Sequence, residues 1–372
     1  MFYYFGYQAP YNSRTVLLMP PPTPLHHADT LPATHKAIPD PAPEPHPRSG
    51  LKGVLLPVAV VLAIGTIFVS VYLAAFHAPR PNDLPVAVVG TTADAHRVEA
   101  GLERAISGGF DVRTYGDEAA ARQAVEHREV YAAYLPSRGQ QGGKLLYAGA
   151  NGPSVTGTLT AAFAQAAAQD SPPPVAQDIL AASAGDTRGL SVFYAAFGLV
   201  LAGYLFGMMT YQAAPALRFR QRIASLTLFG ALGGIIVALL AGDTGFSALP
   251  GSFAGTAAVT ALMAMAAGGA TMTIVKWTGS AGAAIASVIL LIFGNATSGG
   301  VMPPFYLPDW LHPLSGVLPV GAGVRALQGM SYFRDDGLWS GLAVLAAWII
   351  ACVALLYLRD TRSAHKARLG TA

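Results

Sequence analysis

Few side chains in this chain stand at spacings that could carry chemistry, and most of those dissolve on inspection. Gly142-Gly143-Lys144 has the look of the end of a phosphate-binding loop, but that loop needs Gly where Arg138 stands and Ser or Thr where Leu145 stands. The stretch also leads into a strand-like run instead of opening a helix, so no nucleotide loop is expected. His26, His27, His35 and His46 are irregularly spaced, with no Cys or acidic cluster beside them, and do not make a metal tract. Neither an HExxH nor a GxSxG motif occurs. Cys352, the only cysteine, lies inside an apolar run and reads as a small buried apolar residue. Catalytic, cofactor-binding and metal-ligating residues are therefore all expected to be absent, which points away from an enzyme.

What remains is positional. Of 372 residues, 53% are hydrophobic and only 12% charged, about half the charge of a typical soluble chain. The net charge of +3 is small and no basic patch is interleaved with aromatics, which excludes nucleic acid as a partner. Long charge-free runs read as membrane-spanning helices, with lipid as the surrounding partner. We expect a polytopic α-helical membrane protein with six spans: 51–77, then Leu190–Thr210, Ile223–Ala241, Ser252–Val275, Ser280 to about Met302, and Leu338–Leu358. The first sits too deep in the chain and is too long for a cleaved signal peptide. Residues 1–50, with Pro20, Pro21, Pro22 and Pro24 opening a proline-studded stretch, are expected to be a disordered tail.

Basic residues orient the spans. Arg48, Lys52, Arg218, Arg220, Arg222, Lys276, Arg359, Arg362, Lys366 and Arg368 all fall on one side of a six-span layout, whereas the loop Gly242–Gly251 offers only Asp243. The positive-inside rule then places both termini, including the tail 359–372, in the cytoplasm. The segment 78–189 falls outside. There, strand-like runs at Pro85–Gly90, Phe110–Tyr115, Val130–Leu135 and Lys144–Ala148 alternate with helical ones at Ala93–Ile106, after the cap Asp117, and at Val155–Ala168, which predicts an α/β layer fold. Ser171-Pro172-Pro173-Pro174 reads as a stiff spacer back to the bilayer.

No span carries Asp, Glu, Lys, Arg or His at its centre, which argues against an ion-coupled carrier and a charge-ringed channel. Small-residue stretches such as Gly203–Gly207 and Gly230–Gly234 suit close helix packing, within the chain or in a dimer. Any transport would need energy from elsewhere. Arg218, Arg220 and Arg222 are candidate docking residues for a separate ATPase, beside their plainer role as a positive-inside signal. Between the last two spans lies a glycine-rich break, Gly294–Gly300, then a proline-laden, aromatic segment, 303–334. It is expected to rest on the membrane surface or dip into it as a hairpin. Its candidate gate residues are Gly299, Gly300, Pro308, Trp310, Pro319, where a kink is expected, and Arg325, placed to hold a headgroup or a partner carboxylate.

The order of parts resembles the ABC-2-type permease superfamily, nearest its phage-infection-protein-like branch. Gly294–Gly300, Pro308-Asp309-Trp310-Leu311, Leu318-Pro319 and Gly323-Val324-Arg325-Ala326-Leu327 are similar to that family's segment before the final span, and Asp117–Pro136 is similar to an element of its outer domain. The resemblance covers roughly 50–360. It implies paired six-span units, as a homodimer or heterodimer in a bacterial plasma membrane, exporting an amphiphilic or lipid-like substrate with a separate ATPase. The alternative is a non-transporting envelope protein whose outer domain binds a phage or another extracellular partner.

Overall fold

The computed structural model describes residues 51–137, 142–167 and 172–369. The tail 1–50 with its histidines, and Arg138, lie outside them. The chain is mostly helical. α1 (Leu51–Phe76) is followed by the elements of a small sheet: β1 (Leu84–Val89), α2 (Thr92–Ala105), β2 (Phe110–Tyr115), α3 (Glu118–Glu126), β3 (Ala132–Leu135), β4 (Lys144–Tyr147), α4 (Pro153–Ala167) and β5 (Val175–Asp178). Five strands run in the order β2-β1-β3-β4-β5, parallel except for the β3–β4 pair. Alternation along β1 explains the layering. Leu84, Val86 and Val88 face a core with Leu102 of α2 and Leu159 and Phe163 of α4, while Ala87 faces Ala121, Ala124 and Val125 of α3. Asp117 caps α3 by accepting from Ala120 N–H at 2.8 Å, as its position before the helical run predicts. The prolines 172–174 do not simply span a gap. They lead into β5, which pairs with β4 in register Lys144↔Val175.

The remaining chain is a helical bundle: α5 (Ser191–Gln212), α6 (Phe219–Ala241), α7 (Phe253–Thr278), α8 (Gly282–Ala286) running on as a π-helical segment Ser287–Gly294, α9 (His312–Val317), α10 (Pro319–Tyr332) and α11 (Leu338–Leu369). Five runs are long and apolar enough to cross a membrane: Leu55–Phe76, Ser191–Gln212, Phe219–Ala241, Phe253–Gly294 and Leu338–Arg362. This is a polytopic membrane protein. The fourth run has 42 residues, which at ~1.5 Å per residue would be about 63 Å long, twice the ~30 Å hydrocarbon layer. It reverses at Gly279, whose φ of +63° is open to glycine. Beyond the reversal a Cβ on Gly282 would stand 2.6 Å from Val275 Cα. Tyr204 donates to the Ala283 carbonyl at 3.3 Å, and Gly300 lies against Phe193, so the returning limb runs antiparallel to α5.

Glycines set the bundle's close contacts. A Cβ on Gly203 would lie 2.8 Å from Ala267 Cβ and one on Gly207 2.5 Å from Thr271 Cβ, fixing α5 parallel to α7. Gly230 meets Met265 and Gly234 meets Ala257, fixing α6 antiparallel to α7. These small residues are thus occupied within the chain. Lys276 of α7 pairs with Asp360 of α11 at 2.9 Å, and Thr273 reaches the Cys352 carbonyl, so α7 and α11 run the same way. The last helix extends past the apolar run to Leu369, through residues expected to be a tail.

Of the two placements expected for 303–334, the packing of α10 is that of a segment dipping inward. Nine residues of α10, from Pro319 to Gly329, are buried, and α10 is wedged among the bundle, with Gly294 against Val320, Gly323 against Met263 and Gly341 against Ala326. Trp348 donates its indole N–H to the Val317 carbonyl at 2.8 Å, which puts the α9–α10 tip roughly 15 Å along α11 from its start at ~1.5 Å per residue. The segment dips into the bundle and returns. Small residues around α10 (Gly321, Ala322, Gly323, Ala326, Gly329) let Ser315, Met263, Gly341 and Asp336 approach from several sides.

Candidate functional site

Both shoulders of the dipping hairpin are gripped by the sheet region. On the entering side, Pro303 leads into a tight turn (Pro304–Tyr306) that presents Phe305 edge-on to Tyr131, with ring centres 5.7 Å apart, and Tyr306 to the core of Leu159 and Phe163. Asn82 fastens this shoulder, donating its N–H to the Phe305 carbonyl at 2.9 Å and its side-chain amide to Asp309 at 2.9 Å. On the leaving side, Phe333 enters the opposite core beside Val125 and Val130. The following turn to α11 holds Arg334 (φ +48°), Asp335 (φ +66°) and Gly337 (φ +72°) in the left-handed region. Each non-glycine residue there costs about 1 kcal/mol, so the turn needs outside support. Arg128 supplies it.

Arg128 donates from Nε (3.0 Å) and Nη2 (2.8 Å) to Asp336 Oδ2, and from Nη1 to Gln328 Oε1 at 2.8 Å, with its guanidinium 4.7 Å over the Phe333 ring. Its side chain is 8% exposed. Arg334 adds a 2.7 Å pair to Glu126, and Arg325 approaches Asp336 Oδ1 at 3.6 Å. Burial pushes the Tyr131 phenol above its ordinary pKa against the opposing pull of Arg128 and Arg325, which leaves it neutral at physiological pH.

Between these shoulders lies a cavity of ≈ 400 Å³. Arg113, Glu129 and Tyr131 line its sheet side; Gly299, Gly300, Phe305, Val324 and Arg325 line its hairpin side. Three of the six candidate gate residues therefore meet in one cavity. Gly299 has φ +75°, and a Cβ on Gly300 would sit 2.9 Å from Phe193 Cβ, so both positions require glycine. The others lie apart from it. Pro308 accepts at its carbonyl from Leu311 and His312, closing the turn into α9, and Trp310 is 58% exposed. Pro319 does not kink a helix. It stands at the first position of α10, where its missing N–H costs nothing and its fixed φ starts the helix.

The candidate docking arginines also divide. Arg218 and Arg220 are exposed at the start of α6, but Arg222 is 5% exposed. Arg222 donates to four carbonyls, of Thr210 (2.8 Å), Pro215 (2.9 Å), Leu217 (3.1 Å) and Ala214 (3.4 Å), and lies 4.2 Å over the Tyr211 ring. Two of those carbonyls stand at or just past the C-terminal end of α5, where free acceptors and the helix dipole favour a cation. Arg222 staples the α5–α6 turn and cannot dock a partner, which corrects the expectation for that residue. Lys276 and Arg359 gather at this same end, Arg359 over Trp277 at 5.2 Å.

No family model, curated protein or solved structure matches the chain. Function is therefore argued from the geometry. Among the described residues no three His, Cys, Asp or Glu side chains are grouped to hold a metal ion. The cavity offers three arginines (Arg113, Arg128, Arg325), two carboxylates (Glu129, Asp336) and an apolar wall, which is equipment for binding. Sequence reasoning missed Arg128, Gln328 and Asp336 as a unit. They meet across some two hundred residues of chain, and no local pattern marks them.

Proposed function

We propose that this chain is an export permease subunit with six membrane crossings, the two limbs on either side of Gly279 counting as separate spans. The observation that carries the reading is the hairpin α9–α10, which dips into the bundle from the end that bears the sheet while the basic residues collect at the opposite end. A helical hairpin that lines a cavity and is held at both shoulders by an outer domain is built as a gate. The sheet region faces the exterior of a bacterial plasma membrane, and both termini are cytoplasmic. Energy comes from a separate ATPase bound at the basic end, where Arg218 and Arg220 remain exposed, and two copies pair to enclose the path of an amphiphilic substrate. The chain itself performs no bond-making step.

Co-expression with an ATPase encoded beside it is the direct test. Stimulated hydrolysis that falls on Arg218→Glu/Arg220→Glu supports the reading; no stimulation and no co-purification overturn it. Sidedness is checked separately with a tag after Ala372, which must be unreachable from the medium in intact cells. A second reading, a non-transporting envelope protein that captures an extracellular partner through the sheet region, draws on the cavity being walled partly by Arg113 and Glu129. It would be favoured by partner binding in cells whose efflux is unchanged when the chain is absent.

A further inference from the structure

The charges in the cavity are unevenly matched. Asp336 faces two guanidiniums, and Arg128 takes Oδ2 with two nitrogens while also holding Gln328. Arg113 is turned to Asp111 at 2.8 Å and to the Glu129 carbonyl. Arg325 is left with a 3.6 Å approach to Oδ1, its only ion pair among the described residues, and a side chain 59% exposed. Its planar fork is thus open to a second oxyanion, a geometry that phosphate matches with two parallel hydrogen bonds.

Depth and wall supply the rest of the ligand. Arg325 lies against Gly337, and Ala326 against Gly341, so both stand at about the level of Trp339 along α11, though not on its face. Trp339 is 76% exposed and Trp310, on the other shoulder, 58% exposed. Exposed indoles favour the membrane–water interface, which sets Arg325 at headgroup level. Phe305 and Met302 make an apolar wall in the same cavity, and Val317 at the hairpin tip is 59% exposed. A headgroup at Arg325 can therefore keep its tail against apolar surface.

We propose that this cavity binds a phosphate-type oxyanion, carried by an amphiphile whose charged head sits on Arg325 and whose apolar part lies along Phe305 and Met302. The proposal rests on the permease reading only in treating this ligand as the substrate; the site itself requires neither transport nor an ATPase.

The test uses the full chain purified in a neutral detergent and a fluorescent short-chain phosphatidylglycerol, with the matching phosphate-free diacylglycerol as control. Binding of the anionic probe should exceed that of the neutral one about ten-fold, and Arg325→Gln should remove that preference, the loss expected for one charged hydrogen-bonding contact. Arg325→Lys keeps the charge without the fork and should fall between. Gly316→Trp is the independent variant. Gly316 lines the cavity and a Cβ there meets nothing within 4 Å, so the indole should fill the space, lower binding of the anionic probe and leave the unfolding midpoint in place. Inorganic phosphate as competitor separates the sources. Displacement only at millimolar levels assigns the site to the lipid-borne anion, while displacement at the probe's own concentration assigns it to free phosphate and overturns the amphiphile. Equal affinity for both lipids, or full anionic preference in Arg325→Gln and Gly316→Trp alike, overturns the site. Intact binding with no ATPase stimulation would remove the permease and leave the site standing.

Discussion

Arg222 and Arg325 are the same residue type at opposite ends of one bundle, and they illustrate what a charge needs in order to be available. Arg222 is 5% exposed, with four carbonyls around it and a tyrosine ring beneath; its desolvation is offset inside the chain and nothing is left to offer. Arg325 shares one carboxylate with a better-placed competitor and stays half in solvent. The first holds a turn and the second waits for a ligand. A cluster of arginines in sequence, such as Arg218, Arg220 and Arg222, does not say which member is which. Only the count of acceptors around each guanidinium does.

The comparison breaks most visibly at Arg222. Arg222→Ala strips the α5–α6 turn of its cation and should cost about 3–5 kcal/mol, the loss of several hydrogen bonds from a charged donor at about 1.5–3 kcal/mol each, added less than fully, read as a large drop in the unfolding midpoint in detergent. Arg222→Lys should recover only part, since a single ammonium cannot reach carbonyls set around a fork. A neutral Arg222→Ala would show that the carbonyls are satisfied by water and that the contrast with Arg325 is false.

Arg128→Leu comes next, at about 2–3 kcal/mol. It should also release the left-handed turn 334–337, seen as faster amide exchange there. It sharpens the comparison too, because Asp336 freed of Arg128 becomes a full partner for Arg325, and anionic probe binding should weaken although Arg325 is untouched. Gly323→Val forces a side chain into Met263 and should cost about 1–3 kcal/mol by overpacking, partly relieved by Met263→Ala in a double-mutant cycle. The smallest effect is expected at Arg334→Ala. Its 2.7 Å pair with Glu126 is good, but the arginine is 64% exposed, so the loss should stay under about 1 kcal/mol.

Much of the scaffold was legible because local physics dictates it. Short strand-like runs located β1 through β4, Asp117 announced α3, and charge-free runs located α5, α6 and α7 to within a few residues, though not the ends of the limb after Gly279 or of α11. β5 was hidden, since Val175–Asp178 is a short, fully exposed edge strand behind three prolines and buries nothing that would leave a pattern. The depth of α10 was hidden for the opposite reason. Its glycines and alanines look weakly apolar by composition, yet small side chains are what permit burial against Met263 and Gly341. In the site, Gly299, Gly300 and Arg325 were nominated from the sequence and do share the cavity. Arg128 and Asp336, which decide how much of Arg325 is free, could not have been. Their pairing exists only once the sheet region and the α10–α11 turn are side by side.

The reversal at Gly279 has a consequence for how the chain is made. It is assembled from Gly279, Ser280, Ala281 and Gly282, with Lys276 and Trp277 just ahead, and it offers no stretch of polar chain long enough to be handled by itself. A ribosome delivers the 42 residues as one nearly unbroken apolar ribbon, far more than a single passage through the lipid layer accommodates. On the six-crossing reading proposed above, the two limbs enter together, already folded back on each other, and a charge introduced into either imperils the insertion of both.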